Sequence, residues 1–136
     1  MARPVTPLLA ADVVIELTDQ PERPIVLIQR KNPPYGWAIP GGFVDVGETV
    51  EDAARREMKE EVSLKVELTG LLGVYSRPDR DPRGHTVTVI YTGEAKGTPV
   101  AADDAQAVGW FTRANLPSPL AFDHAEVLDD YFARRN

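Results

Sequence analysis

Apolar and polar positions alternate along the chain with changing periods, and those periods lay out the elements. Residues 8–17 are mostly apolar around Val13-Val14-Ile15 and predict a strand. Residues 24–30 predict a second strand, which ends on the polar pair Arg30-Lys31, with Gln20-Pro21-Glu22-Arg23 as the connecting turn. Asn32-Pro33-Pro34-Tyr35-Gly36 is a stiff loop, because each proline fixes its own φ and restricts the residue before it. Short extended pieces over 37–40 and 43–45 flank Gly41-Gly42. Residues 49–62 switch to a helical period, with Thr49 as N-cap and Glu51-Asp52 favoured by the positive end of the helix dipole. One or two strands follow over 64–75, broken near Gly70 or Gly73, and then a charged, proline-containing loop over 76–84. Residues 85–92 alternate and are rich in Thr, Val and Ile, predicting a strand; 107–112 predict a last one. A C-terminal helix is expected over 123–134, with Asp123 as its cap. Strands on both sides of a central helix, plus a terminal helix, make an α/β domain with a mixed sheet.

Composition narrows the chemistry. With 136 residues the chain suits one domain, spanning 1–136. No apolar run approaches the ~18 residues that a membrane span needs, and Met1-Ala2-Arg3-Pro4 lacks the apolar core of an export signal. A cytoplasmic protein without a membrane partner is expected. The absence of cysteine excludes disulfides, thiolate nucleophiles and cysteine-ligated metals. A net charge of −6 disfavours a nucleic-acid polymer as partner, since that binding leans on clustered Lys and Arg. A phosphate-bearing ligand would need local cations or a metal.

The helix over 49–62 is unusual in where its acids fall. At about 100° per residue, Val50, Ala53, Ala54, Met58 and Val62 share one arc, while Asp52, Arg55 and Lys59 point the opposite way. Glu57 and Glu61 fall inside the apolar arc, and Glu60 falls at its edge. A salt-bridged surface face would explain Glu60, which can pair with Arg56 at i, i+4. It does not explain Glu57 and Glu61, which repel each other at the same spacing and lie among apolar positions. Ionised carboxylates on a buried face are costly without a cation. An all-oxygen set favours a hard divalent ion, Mg²⁺ or Mn²⁺ as a substitute.

Gly42, five residues, Glu48, seven residues and then Arg56-Glu57-Met58-Lys59-Glu60-Glu61-Val62-Ser63-Leu64 resemble the Nudix box, G-x5-E-x7-R-E-U-x-E-E-x-G-U with U aliphatic. The last box glycine is Ser63 here, where a helix end favours Gly for its tolerance of positive φ. A modest stability cost or a shifted helix end is expected, with no ligand affected. The resemblance implies a Nudix fold, a mixed sheet sandwiched between helices. It implies that Glu57, Glu60 and Glu61 bind Mg²⁺ together with the Gly41 carbonyl, and that Arg56 orients them, with Glu48 as its possible partner. It further implies hydrolysis of a nucleoside diphosphate linked to another group, by water attack at phosphorus, with one of the three glutamates available as base. Asp103 and Asp104 occupy the region where relatives carry an acidic residue outside the box; a solvated turn explains them equally well.

The segment Ser76-Arg77-Pro78-Asp79-Arg80-Asp81-Pro82-Arg83-Gly84-His85 points to the substrate. Its Pro-x-Arg-Asp-Pro-Arg-Gly-His run resembles the ADP-ribose pyrophosphatase subgroup, and Arg suits bidentate binding of phosphate. Arg77, Arg80 and Arg83 are therefore candidate substrate contacts; internal Arg–Asp bridges are the plainer reading. Arg30 and Lys31 can reach phosphate, and Tyr35 and Trp37 can stack on a base or simply pack. Phe122-Asp123-His124 resembles a recurring Nudix segment without an assigned role. His85 and His124 show no metal-ligand spacing, which disfavours zinc. Mg²⁺-dependent cleavage of ADP-ribose to AMP and ribose 5-phosphate is expected, by a homodimer. The alternatives are hydrolysis of nucleoside triphosphates or other nucleotide sugars, and a non-catalytic ADP-ribose sensor. The complete glutamate set argues against the sensor, and a single domain is expected to leave no room for a DNA-binding module.

Overall fold

The structure, a computed structural model, describes residues 3–102 and 105–135. Seven strands form one mixed sheet: β1 (Leu8–Leu17), β2 (Ile25–Arg30), β3 (Gly36–Ala38), β4 (Gly41–Phe43), β5 (Glu67–Tyr75), β6 (Thr86–Ala95) and β7 (Ala105–Phe111). Helix α1 (Val50–Val62) follows β4, and α2 (His124–Arg135) closes the chain. A short 3₁₀ turn, Arg113–Asn115, was not anticipated from the sequence.

Side-chain alternation divides the core in two. Val13, Ile15, Val26 and Ile28 pack with Ala53, Ala54, Met58 and Val62 of α1. Their strand neighbours Val14, Ile25 and Leu27 pack with Val127, Leu128, Tyr131 and Phe132 of α2. A sheet covered on both faces needs apolar residues at consecutive positions, which is why β1 and β2 read as unbroken runs. The expected α/β/α sandwich is what forms.

The topology places an opening in that sheet. β1 runs parallel to β6 along its whole length, from Leu8↔Thr86 to Leu17↔Ala95. Its other edge is shared: Glu16 pairs with Ile25 of β2, whereas residues 10–12 pair with residues 43–41 of β4. β2 in turn pairs with β3 and, antiparallel, with β7. β1 and β2 therefore part, and the short strands β3 and β4 border the split. The 64–75 segment holds one strand, β5, which starts only at Glu67 and whose register shifts between Leu68 and Gly70 and between Leu71 and Gly73. The predicted break is a pair of irregularities in a continuous strand.

α1 begins where its cap was expected, with Thr49 Oγ1 accepting from the Asp52 N–H at 3.1 Å. It ends at Ser63, which adopts φ 60°, ψ 32° in place of the family's glycine. An L-residue in this conformation costs about 1–2 kcal/mol, and Ser63 Oγ recovers little from a 3.4 Å contact to the Val100 carbonyl. Ser63→Gly should therefore raise unfolding stability by about 1 kcal/mol, read as a higher urea midpoint at unchanged m-value.

Candidate active site

A cavity of about 530 Å³ opens at the split between β1 and β2. Ala10 and Asp12 of β1, Ile28 and Arg30 of β2, and Gly41, Gly42 and Phe43 of β4 form part of its wall. Glu57 and Glu61 enter from α1, and Arg80, Asp81, Arg83, Phe122 and His124 from the loop after β5 and the start of α2.

Two glycines let carboxylates lie against the backbone. A Cβ on Gly42 would stand 2.4 Å from the Glu57 carboxyl carbon, and one on Gly41 would overlap the Asp12 carboxylate. The Glu57 side chain is only 16% exposed, and burial pushes its carboxyl above the usual range despite the Arg56 hydrogen bond that pulls it down. Arg56 organises this wall. Its Nε and Nη2 donate to Glu48 at 3.0 and 2.6 Å, its Nη1 to Glu57 at 2.8 Å and to Glu60 at 3.2 Å, and its Nη2 also to the Phe43 carbonyl at 3.1 Å.

Glu60 does not share the position of Glu57 and Glu61. Its side chain is 61% exposed and lies on Arg56, outside the cavity wall. A residue at the edge of the apolar arc can point to either side, and here the guanidinium draws it outward. Among the described residues, no three His, Cys, Asp or Glu side chains converge tightly enough to hold an ion as they stand. The donor chemistry nevertheless fits a hard divalent cation: carboxylate oxygens, one of them desolvated and pushed up by burial.

The three loop arginines separate. Arg80 is buried, with a side chain 3% exposed, and its fork is occupied by Asp123: Nε and Nη2 donate at 3.0 and 2.8 Å. Its Nη1 donates to the Thr88 hydroxyl at 2.7 Å. Arg80, which also lines the cavity, thereby ties the loop to the residue that precedes α2. Arg77 pairs at the surface with Glu126 at 3.2 Å and is not on the cavity wall. Arg83 is on the wall, hydrogen-bonded to Asp81 through Nε and Nη2. Arg30 faces it from β2, with Nε donating to the Pro34 carbonyl at 2.8 Å. Burial and then the neighbouring Arg83 charge lower the Arg30 pKa. Lys31 lines the wall as well.

Trp37 does not line the cavity. Its ring meets Phe111 edge-on at 5.2 Å and packs with the layer under α2, the plain packing role. Tyr35 is exposed and away from the wall. Asp103 and Asp104 lie outside the described residues.

Sequence reasoning missed Asp12, a buried acid in an apolar strand, and left Phe122 and His124 without a role. The Ile39 N–H donates to His124 Nδ1 at 3.0 Å, so the other ring nitrogen carries the proton and faces Asp12 Oδ2 at 3.5 Å. The signal for Asp12 was there to read: one carboxylate amid Leu8-Leu9-Ala10-Ala11 and Val13-Val14-Ile15 demands a polar partner.

The fold is thus an α/β/α sandwich with a split sheet, and the cavity at the split is lined by carboxylates of α1 and by the guanidiniums of Arg30 and Arg83. Residues 7–131 match the NUDIX domain, and the chain belongs to that family, as a Nudix pyrophosphohydrolase. It is 46% identical over 133 residues to an ADP-ribose pyrophosphatase of Methanocaldococcus jannaschii, covering 96% of this chain and 76% of that protein. It is 34% identical to the ADPR responsive transcriptional repressor NtrR of Acinetobacter baylyi, covering 96% of this chain but 55% of the repressor. Among solved structures, the NUDIX domain of Shewanella oneidensis NrtR complexed with ADP ribose superposes with a TM-score of 0.83 at 29% identity, covering 97% of this chain and 90% of that one.

The Arg56 hub also sets an acid limit on stability. Donation from Arg56, with help from the Asp45 N–H, holds the Glu48 carboxyl down at about 2, against 4.5 for the free group. A depressed carboxyl contributes stability above its unfolded value and loses it as pH falls toward the folded one. The advantage in Tm of the native chain over Glu48→Gln should be full above about pH 4.5 and shrink steadily toward pH 2. A pH-independent difference would show that the pair contributes nothing electrostatically.

Proposed function

We propose that the chain hydrolyses ADP-ribose, or a closely related nucleoside diphosphate derivative, to AMP and ribose 5-phosphate with Mg²⁺ bound. One observation carries this reading: a single cavity is lined by Glu57 and Glu61 of α1 together with Arg30 and Arg83. A diphosphate needs such a pairing, with oxygen donors that can hold a metal on one side and guanidiniums for its own oxygens on the other. The ADP-ribose pyrophosphatase that the chain resembles over 96% of its length supports the choice of substrate.

Glu57 and Glu61 would hold the metal beside Gly41, and Glu60 would join them on leaving Arg56. Bound there, Mg²⁺ would neutralise phosphoryl oxygens and make a coordinated water more acidic. The chain's own residues do the rest. Arg30 and Arg83 hold the diphosphate, Arg56 keeps Glu57 aimed at the wall, and one of the three box glutamates takes the proton of the attacking water. Asp104 stays a candidate for that proton on the strength of the resemblance. A cytoplasmic location is part of the proposal, and the same resemblance adds a homodimer, with light scattering as the test of its assembly. No helix among the described residues is long and apolar enough to cross a membrane.

A panel of ADP-ribose, other nucleotide sugars and nucleoside triphosphates, with products identified, tests the substrate. ADP-ribose should be preferred and should yield AMP; equal or faster turnover of triphosphates would overturn the assignment. Glu61→Gln should lower Mg²⁺-dependent kcat at least about 100-fold without changing the urea midpoint by much, and chelation of the metal should abolish turnover of the native chain. ADP-ribose binding with no turnover in any metal would point instead to a sensor, the role named for the NtrR repressor.

A further inference from the structure

Phe122 has a backbone conformation that L-residues avoid, with φ at +55°. Its neighbours hold it there on both sides. The Ala121 N–H donates to the Trp37 carbonyl at 2.8 Å, Asp123 takes both prongs of the buried Arg80 fork, and His124 Nδ1 accepts from the Ile39 N–H. Strain that the surroundings impose so firmly at a cavity calls for a function. The ring lies on the cavity wall, partly buried against the core under α1.

Two cations gather on that ring. The Arg30 guanidinium carbon stands 4.9 Å from the ring centre and that of Arg83 stands 5.4 Å from it. The arginines come from β2 and from the loop after β5, and they have no reason in the sequence to meet. Like charges repel; Asp81 hydrogen-bonds Arg83 directly, and Glu61, Asp81 and Asp12 act on Arg30 as nearby charges. The negative π face attracts each guanidinium and offsets part of that repulsion. Each also keeps a backbone or carboxylate anchor at its Nε: Arg30 on the Pro34 carbonyl, Arg83 on Asp81. The guanidiniums are thus held at one place before any anion arrives.

We propose that Phe122 is a positioning residue for the anion-binding wall: its ring gathers Arg30 and Arg83 into a convergent pair that receives the adjoining phosphates of the ligand. The inference rests on the diphosphate reading above and names the part of the site that recognises it. Arg80 and Asp123 act one step further out, fixing the turn that aims the ring. Pre-placing two cations saves the ordering of long side chains during binding. The ring itself need not touch the ligand.

Calorimetric titration of the metal-free protein with AMP and with inorganic pyrophosphate tests the idea without relying on turnover. Phe122→Leu keeps apolar bulk and the same backbone demand but removes the π face. It should weaken binding of both probes about 3- to 30-fold, with the kinetic effect on ADP-ribose falling on KM more than on kcat. Phe122→Tyr restores an aromatic face and should rescue binding. The urea midpoint of each variant shows whether the fold is intact. Native affinity in a folded Phe122→Leu, alongside lost affinity in Arg30→Gln and Arg83→Gln, would overturn the proposal while leaving the diphosphate reading standing. Native affinity in the two arginine variants would overturn the anion wall itself, and the positioning role with it.

Discussion

One guanidinium joins the box residues into a site. Arg56 reaches from α1 to the loop acid Glu48, to the β4 carbonyl of Phe43, and to Glu57 and Glu60 on its own helix. Glu57 lies buried against the face of Gly42, where only the absence of a side chain admits it. A carboxylate in that position needs a cation at all times, because its charge is removed from water. Arg56 supplies one through a single hydrogen bond and keeps its other donors on Glu48, Glu60 and Phe43. The spacing of the box follows from this arrangement. The glycine clears room, the acid eight residues before the arginine grips it, and the helix places the remaining glutamates one turn on.

Local periodicity made the frame legible. α1 could be drawn from its apolar arc and cap because both depend on residues three and four apart. β1 and β2 could be drawn because burial on two faces leaves a continuous apolar run. Strand ends were less visible: β6 extends to Ala95 and β7 begins at Ala105, since sheet partners rather than local sequence decide where pairing stops. The family could be read because the box is a short stretch of chain whose spacing is set by one loop and one helix.

The cavity was legible only in part, for a physical reason. Its walls come from seven separate stretches of the described chain, and nothing local announces that β1 and β2 part to receive them. Arg77, Arg80 and Arg83 are neighbours in sequence and read as one cationic group. Their fates were decided by residues far along the chain: Asp123 claims Arg80 and Glu126 meets Arg77. Arg30 reads in the sequence as a strand-end cation able to reach phosphate, but nothing there brings it onto the same ring as Arg83. Trp37 drew attention as an aromatic beside a stiff loop, but strand alternation turned it toward Phe111.

The acidic balance of the chain is compatible with an anionic ligand because charge acts over short distances inside a cavity. A net −6 sets the distant field, which salt screens beyond about 8–10 Å. The cavity wall itself carries Arg30, Lys31 and Arg83, in surroundings less polar than water, where each charge counts for more. The arrangement also requires Glu57 and Asp12 to share the cavity wall with those cations without collapsing onto them. Structural ties prevent that collapse: Glu57 is held by Arg56, Asp12 faces His124, and Arg83 is held by Asp81. Glu57, Asp12 and Arg83 are thus each engaged by a third party, which suits the proposed ligand, a group that carries both phosphate oxygens and a metal.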